Sequence, residues 1–456
     1  MPAPVQGTVC GPQVPGTQKP PSGTSLASLN PCPLKACCNI WGQCGTTAEF
    51  CTNTTTGAPG TAAPGTNGCI SNCGTDIIKS SPLAQFRRVA YFESFNVDRP
   101  CLIMDVQQID KFKYTHRDQF NRFVKMTGIK RIPSFGGWAM STEPATYSIF
   151  RDAVTAANRQ TFVNNLVNFQ ISLLPSKSVS IATPASYWYL KGFPIATMVS
   201  SLDYIVYMTY DLHGQWDFGN QWAQPGCPGG NCLRSHVNLT ETTNALSMIT
   251  KAGVPSNKLL IGITSYGRSF KMTTPGCTGP MCTYTGKASG AKPGRCTKTA
   301  GYISNAEINE IKAKNSNVQA LYDAASDSDI VVYDGTEWVA YMTDTTKNRR
   351  ISTYQGLNMG GVSDWAVDLQ AFVSPPTPTV PGQPTPPAQS GGFTDPVSIN
   401  GALNPYLKGC NEGQQAKIQE AWSEAATLAA DHYEWWPGST WQDAMTLYLG
   451  SNSKND

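Results

Sequence analysis

The chain has 456 residues, too long for one ordinary domain and in the range of about two or three. A net charge of +3 with no Lys/Arg run speaks against a nucleic-acid partner. No apolar stretch approaches the roughly 20 residues that cross a bilayer. Fifteen cysteines are unevenly spread, eight of them before residue 74, which predicts a small disulfide-stapled module made in an oxidising compartment. Acceptor tripeptides for N-linked sugar at Asn53 and Asn238 fit the same export route, so secretion or a cell-wall location is expected. Met1-Pro2-Ala3-Pro4 opens no charged n-region and no apolar h-region. The true start is therefore expected upstream, or the chain is a fragment.

Residues 1–75 are rich in Gly, Pro, Thr and Cys and show little periodicity. Their cysteines fall at Cys10, Cys32, the adjacent pair Cys37-Cys38, Cys44, Cys51, Cys69 and Cys73. This spacing resembles the hevein-type chitin-binding domain over essentially all of residues 10–73. In that family a Ser and three aromatics after the Cys-Cys pair form the sugar surface. The matching positions here are Asn39, Trp41, Gln43 and Phe50, so two of three aromatics are kept. Aromatic rings suit the task because pyranoses present an apolar face of C–H bonds. The plainer reading makes Trp41 and Phe50 the small core of a disulfide knot.

Residues 86–372 alternate short apolar strands with amphipathic helices, which reads as βα units around a parallel sheet. The strand-like runs are 88–92, 130–135, 179–182, 203–208, 259–263 and 360–365. Five motifs lie along them: Val89-Ala90-Tyr91-Phe92-Glu93-Ser94-Phe95, Ser134-Phe135-Gly136-Gly137-Trp138, Tyr207-Met208-Thr209-Tyr210-Asp211, Ser265-Tyr266-Gly267-Arg268-Ser269-Phe270 and Gly361-Val362-Ser363-Asp364-Trp365-Ala366. Together and in this order they resemble glycoside hydrolase family 18 chitinases, above all large fungal ones with a hevein-like module in front. The resemblance implies a TIM-type (β/α) barrel with its site at the C-terminal strand ends. It also implies chitin or chitooligosaccharide as the ligand.

The family's reaction is substrate-assisted: the N-acetyl carbonyl of the sugar attacks the anomeric carbon. A protonated carboxyl donates to the leaving oxygen, and a neighbouring Asp orients the acetamide. Both come from an Asp-x-x-Asp-x-Asp-x-Glu signature on the fourth strand. No Asp-x-Asp-x-Glu occurs anywhere in this chain. The helix-like Arg159–Val163 stretch leads through Phe169 directly into Gln170-Ile171-Ser172-Leu173-Leu174-Pro175, which reads as the end of the following helix. Near His116–Arg117 an apolar second strand is likewise skipped. The fold expected is thus an incomplete barrel lacking strands two and four, either smaller and distorted or opened with exposed edges, and less stable than an intact relative.

By resemblance, Tyr210 and Asp211 hold the acetamide, with Met208 beneath them and Trp365 as an apolar floor. Tyr91, Trp138, Tyr266 and Arg268 line the groove. The plainer readings are barrel packing for Tyr91 and Trp365 and a turn-forming Asp before His213-Gly214 for Asp211. Glu93 and Asp364 are the other carboxylates in these motifs, and nothing places either within reach of a glycosidic oxygen. Residues from about 266 to 355 exceed an ordinary βα loop and resemble the family's groove-deepening α+β insertion. Cys227 with Cys232 and Cys277 with Cys282 read as local disulfides. The seven cysteines outside the first module leave one over, with Cys101 or Cys410 the suspect. Four histidines, none near these pairs, make a metal site unexpected, and no cofactor is expected.

Residues 374–392 form a Pro/Thr/Gly/Gln linker, extended and solvated. A short helical tail, 393–456, follows, with a helical pattern from Gln415 to His432. Its Cys410 and Glu420–Ala425 faintly resemble a helical region of fungal deuterolysin-like proteases. It holds no His-Glu-x-x-His, so no catalysis is assigned to it. Three functions compete: a family 18 chitinase from which two segments are missing, a chitin binder without hydrolysis, and an interaction protein or toxin carrier of fungal type. For the chain as it stands the second is favoured, and for its gene the first.

Overall fold

The computed structural model describes residues 1–53, 59–60, 66–91, 128–130, 132, 134, 136–144, 146–165 and 178–372. Both seams (116–117 and 169–170), Glu93, Cys101, Cys410, the linker and the tail lie outside them. The chain divides into two compact units, 1–104 with 133–373 and 105–132 with 374–456. The architecture below is that of the first.

In the N-terminal module β1 (Cys37–Asn39) pairs antiparallel with β2 (Cys44–Gly45) on one side and β3 (Cys69–Ser71) on the other. So few strand residues bury little apolar surface, and disulfides do the stabilising instead. They join Cys10 to Cys38, Cys32 to Cys44, Cys37 to Cys51 and Cys69 to Cys73. The module does not hang free. Leu34 packs into the main core of the larger domain, and Tyr187 of that domain packs against the module's cysteine core. The Lys251 ammonium donates to the carbonyls of Asn72 and Gly74 (the latter at 3.0 Å). The segment leading away is laced to the same surface, with Ser247 Oγ donating to Asp76 O at 3.2 Å and Ile78 N to Thr250 Oγ1 at 3.1 Å.

The larger domain is built on a parallel sheet of β4 (Arg87–Ala90), β5 (Ser180–Pro184), β6 (Tyr204–Met208), β7 (Leu259–Thr264) and β13 (Gly361–Trp365). Their order is β4-β13-β7-β6-β5, the run that a barrel shows between its first strand and its fifth when followed through its last. β6 and β7 are near-continuous apolar runs buried along almost their whole length, as strands covered on both faces must be. Of the run at 130–135, the described residues carry no strand.

Among the described residues, two long helices pack on this sheet. α1 (Leu239–Lys251) turns Ala245, Leu246, Met248 and Ile249 inward. α2 (Asp344–Gly356) packs on β7 and β13 through Ile351 and Tyr354. The buried Arg350 guanidinium of α2 donates through Nε to Asp327 Oδ2 and through Nη2 to the carbonyls of Val237, Ser326 and Asp327.

The chain leaves the parallel sheet sharply. After β7, Ser265 alone intervenes before β8 (Tyr266–Lys271) enters a second, antiparallel sheet, ordered β10-β11-β12-β8-β9. Its other strands are β9 (Ile303–Ser304), β10 (Gln319–Asp323), β11 (Ser328–Tyr333) and β12 (Glu337–Tyr341), with one helix, Asn305–Lys314, started by a Ser304/Glu307 capping box. This is the α+β insertion. Its last strand ends at Tyr341, so α2 belongs to the layer around the parallel sheet.

Candidate functional site

The site forms where the parallel strands end. β6 carries Met208 as its last residue, and three residues on Asp211 sits in the left-handed region (φ 56°), which a short polar side chain tolerates. Thr209 anchors the turn by donating to Gly262 O at 3.0 Å. Tyr210 then lies across β7 at Gly262, where a Cβ would stand 2.6 Å from its ring, so only glycine lets the two pass. Tyr266 and Arg268 alternate onto one face of β8, immediately past the end of β7.

These side chains converge on Asp211. Its carboxylate accepts from the Tyr266 hydroxyl at 2.6 Å and from Arg268 Nε and Nη2, both at 2.8 Å. The fork-to-fork pair is the strong geometry for a guanidinium and a carboxylate. Burial alone would raise the Asp211 carboxyl. The Arg268 charge and the hydrogen bonds from His236 and Arg268 outweigh it and hold the group well below the usual carboxylate range. Asp211 is thus an ionised acceptor at any ordinary pH and has no proton to give.

Around this pair aromatic rings pack at a tilt. Tyr266 lies 4.6 Å from Tyr302 and 4.9 Å from His236, and the Arg268 guanidinium sits 4.8 Å above Trp216. Tyr91, one residue past β4, meets Trp365, the last residue of β13, at 4.9 Å. The Trp365–Ala366 peptide is cis. The Tyr210 hydroxyl is buried with no hydrogen-bond partner among the described residues. Burial, with Tyr91, Asp211 and Asp364 nearby, pushes its pKa well above the ordinary value, so it stays a neutral donor. Asp364 accepts from Ser265 Oγ at 2.8 Å and from Lys347 Nζ at 3.0 Å. It is committed to an ion pair.

The loop after Asp211 is held by a buried network. His213 Nδ1 lies 2.9 Å from Asp217 Oδ2 and its Nε2 lies 3.0 Å from Glu241 Oε1. Burial opposes the imidazolium, but the charges and hydrogen bonds of Glu241 and Asp217 outweigh it and push the His213 pKa up to about 9. Gln224 joins Asp217 to the backbone of Cys232, itself bonded to Cys227.

Tyr91, Tyr210, Asp211, Tyr266, Arg268 and Trp365 thus sit at one end of the sheet with Met208. Trp138 begins a short helix (Trp138–Thr142), is 78% exposed, and no ring contact among the described residues joins it to this cluster. His236, Tyr302 and Trp216 enter the cluster without having been singled out from sequence. Tyr302 comes from the insertion, and His236 comes from a stretch with no periodicity, so neither left a local signal.

In the module Trp41 is 40% exposed and its indole donates to Thr66 O at 2.9 Å. Asn39 is buried, and its Oδ1 accepts from the backbone of Trp41 and Gln43, so it shapes the turn that displays Trp41. Phe50 is half-buried: its ring lies on Gly45, where a Cβ would stand 2.3 Å away, and packs beside Cys37, Cys51 and Cys69. Cys277 and Cys282 are disulfide-bonded, and so is Cys296. The single cluster of metal-ligand types among the described residues is Cys10, Cys32 and Cys38, all spent in disulfides.

Residues 173–370 match glycosyl hydrolases family 18. Probable chitinase LysM18 of Penicillium expansum is 46% identical over 98% of this chain and 35% of its own length. Secreted chitinase LysM12 of the same organism is 50% identical over 82% of this chain and 30% of its own. The chain spans about a third of the length of these relatives. Among solved structures, Ostrinia furnacalis Group IV chitinase aligns with a TM-score of 0.47 and 19% identity, over 62% of this chain and 94% of that one. The larger domain therefore carries a match to glycosyl hydrolases family 18 over residues 173–370, and the N-terminal disulfide-rich module fits a hevein-like domain.

Proposed function

We propose that this chain binds chitin, through its module and through the strand-end cluster, without hydrolysing it. One observation carries the reading: the carboxylates described at the cluster, Asp211 and Asp364, are both tied into ion pairs, and the chain holds no Asp-x-Asp-x-Glu. A general acid must hold a proton and be free to reach a leaving oxygen; Asp211 is held ionised by Arg268, and Asp364 is occupied by Lys347 and Ser265. The ligand-binding half of the chemistry is better provided. The orphaned Tyr210 hydroxyl is a buried donor that an acetamide carbonyl would satisfy, and the Tyr91–Trp365 ring pair offers a sugar an apolar surface. In the module, Trp41 supplies the exposed ring. Trp138 remains a groove residue in this reading. The disulfides and the name of the relative LysM12 support a secreted or cell-wall location.

Retention on chitin beads with assay of released N-acetylglucosamine oligomers tests this. Retention without soluble sugar is expected, weakened about five- to thirtyfold by Trp41→Ala, since packing on one ring is worth roughly 1–2 kcal/mol. Steady release of oligomers would sink the reading.

A second reading, an active endochitinase with two further segments, is favoured by the two relatives named as chitinases. Sequencing the transcript across 116–117 and 169–170 decides it. Extra codons with an Asp-x-Asp-x-Glu strand would establish the enzyme.

A further inference from the structure

The tripeptide Asn238-Leu239-Thr240 has a structural duty that leaves its reactive atom free. Asn238 is the N-cap of α1: its Oδ1 accepts from Thr240 N at 2.9 Å and from Glu241 N at 3.3 Å. Capping therefore uses the carbonyl oxygen alone. The Nδ2 amide makes no hydrogen bond among the described residues, yet it is absent from their buried, unpartnered polar atoms, so it reaches solvent. Thr240 is exposed on the first turn, with its hydroxyl donating to Ala325 O at 3.2 Å. The second tripeptide starts at the exposed Asn53, but Thr55 lies outside the described residues, so the structural argument concerns Asn238 alone.

We propose that Asn238 carries an N-linked glycan, a reading that rests on passage through the secretory route. The donor class is an oligosaccharide linked to a lipid through pyrophosphate. The bond from Nδ2 to the sugar's anomeric carbon forms as the anomeric carbon–oxygen bond to pyrophosphate breaks. The lipid pyrophosphate leaves with the bonding pair, and Nδ2 gives one proton to a base, so nothing is oxidised or reduced. The product amide keeps its carbonyl, and both cap hydrogen bonds survive. An N-cap is worth about 1 kcal/mol, so a modification that consumed the oxygen would cost the helix its start. This one does not. The glycan would sit where α1 begins, two residues after His236 and outside the Tyr266 ring cluster.

The test is to secrete the full chain, behind a leader, from a glycosylating eukaryotic host, with a separate acceptor tripeptide appended at the C-terminus as a reporter. Peptide mass spectrometry follows amidase release in heavy-oxygen water, which converts a glycosylated Asn to labelled Asp. Label at Asn238 in most molecules is expected, abolished by Thr240→Ala, which leaves the Asn238 oxygen in place. Asn238→Asp should also abolish it while melting close to wild type made without glycosylation, because aspartate caps through the same oxygen. Asn238→Ala should lose both glycan and cap. A modified reporter beside an unmodified Asn238 overturns the assignment. Reporter and Asn238 both unmodified would overturn the secretory reading and this assignment with it.

Discussion

Raising the pH through the alkaline range should destabilise this protein through one side chain, His213. Its ring is 6% exposed and bridges two carboxylates, Asp217 and Glu241. Its pKa is pushed up to about 9 in the fold, against an ordinary 6.5. A group that holds its proton more tightly when folded contributes stability in full below its unfolded pKa. That contribution drains away as the pH climbs through the folded value. Each pH unit of tighter binding is worth about 1.4 kcal/mol, giving a ceiling of about 3.5 kcal/mol. Glu241 is more than a third exposed, so solvent screens part of its share and about 2 to 3 kcal/mol is expected. Against a total of about 5–15 kcal/mol this is a large fraction. Urea midpoints taken from about pH 6 to about pH 10 for wild type and His213→Asn read it directly. Wild type should lose about 2 to 3 kcal/mol more than the variant across that window, so that the two converge at the alkaline end. A gap that stays constant within about 0.5 kcal/mol would refute the reasoning.

At the strand-end cluster, Asp211→Asn strands Arg268, which is 13% exposed, beside a neutral amide. A loss of about 2 kcal/mol is expected, less than a fully buried pair would cost because Asp211 is 37% exposed. The depressed Asp211 pKa sets the sign: the loss is present above about pH 4 and shrinks in strong acid, as denaturation curves across that range would show. Chitooligosaccharide affinity, read by calorimetry, should fall in the same variant by about tenfold or more, as expected when a charged partner is removed. At the module, Lys251→Met removes the ammonium that two backbone carbonyls share, at about 2 kcal/mol. Hydrogen exchange at the amides of residues 69–74 should quicken by roughly thirty-fold with the disulfides intact. No change there would mean the packing of Leu34 and Tyr187 suffices.

The parts of this fold legible in sequence are those with a local signature. The apolar runs of β6 and β7 and the cysteine spacing of the module announce themselves within a few residues. Tyr210, Asp211, Tyr266 and Arg268 were visible because each sits in a motif beside a strand. What escaped depends on distant partners. Tyr302 reaches Tyr266 only because the insertion folds back along β8. Asn39 stands at a position read as sugar-binding, but its amide oxygen is spent on two backbone N–H groups, a use no residue type announces.

The seating of the module on α1 bears on how a polymer would be held. A chitin-binding module on a long tether searches a volume, and its benefit to a second site falls as the tether lengthens. Here Leu34, Lys251 and the laced segment from Asp76 to Ser80 remove that freedom. On the chitin reading, the ring at Trp41 and the cluster at Asp211 keep one fixed spacing and one fixed mutual orientation. A chain long enough to touch both would meet the second surface at no further orientational cost. An oligomer shorter than the span would gain nothing from it. Affinity should therefore rise in a step with sugar length rather than along a slope, and the position of that step would measure the distance between the two surfaces.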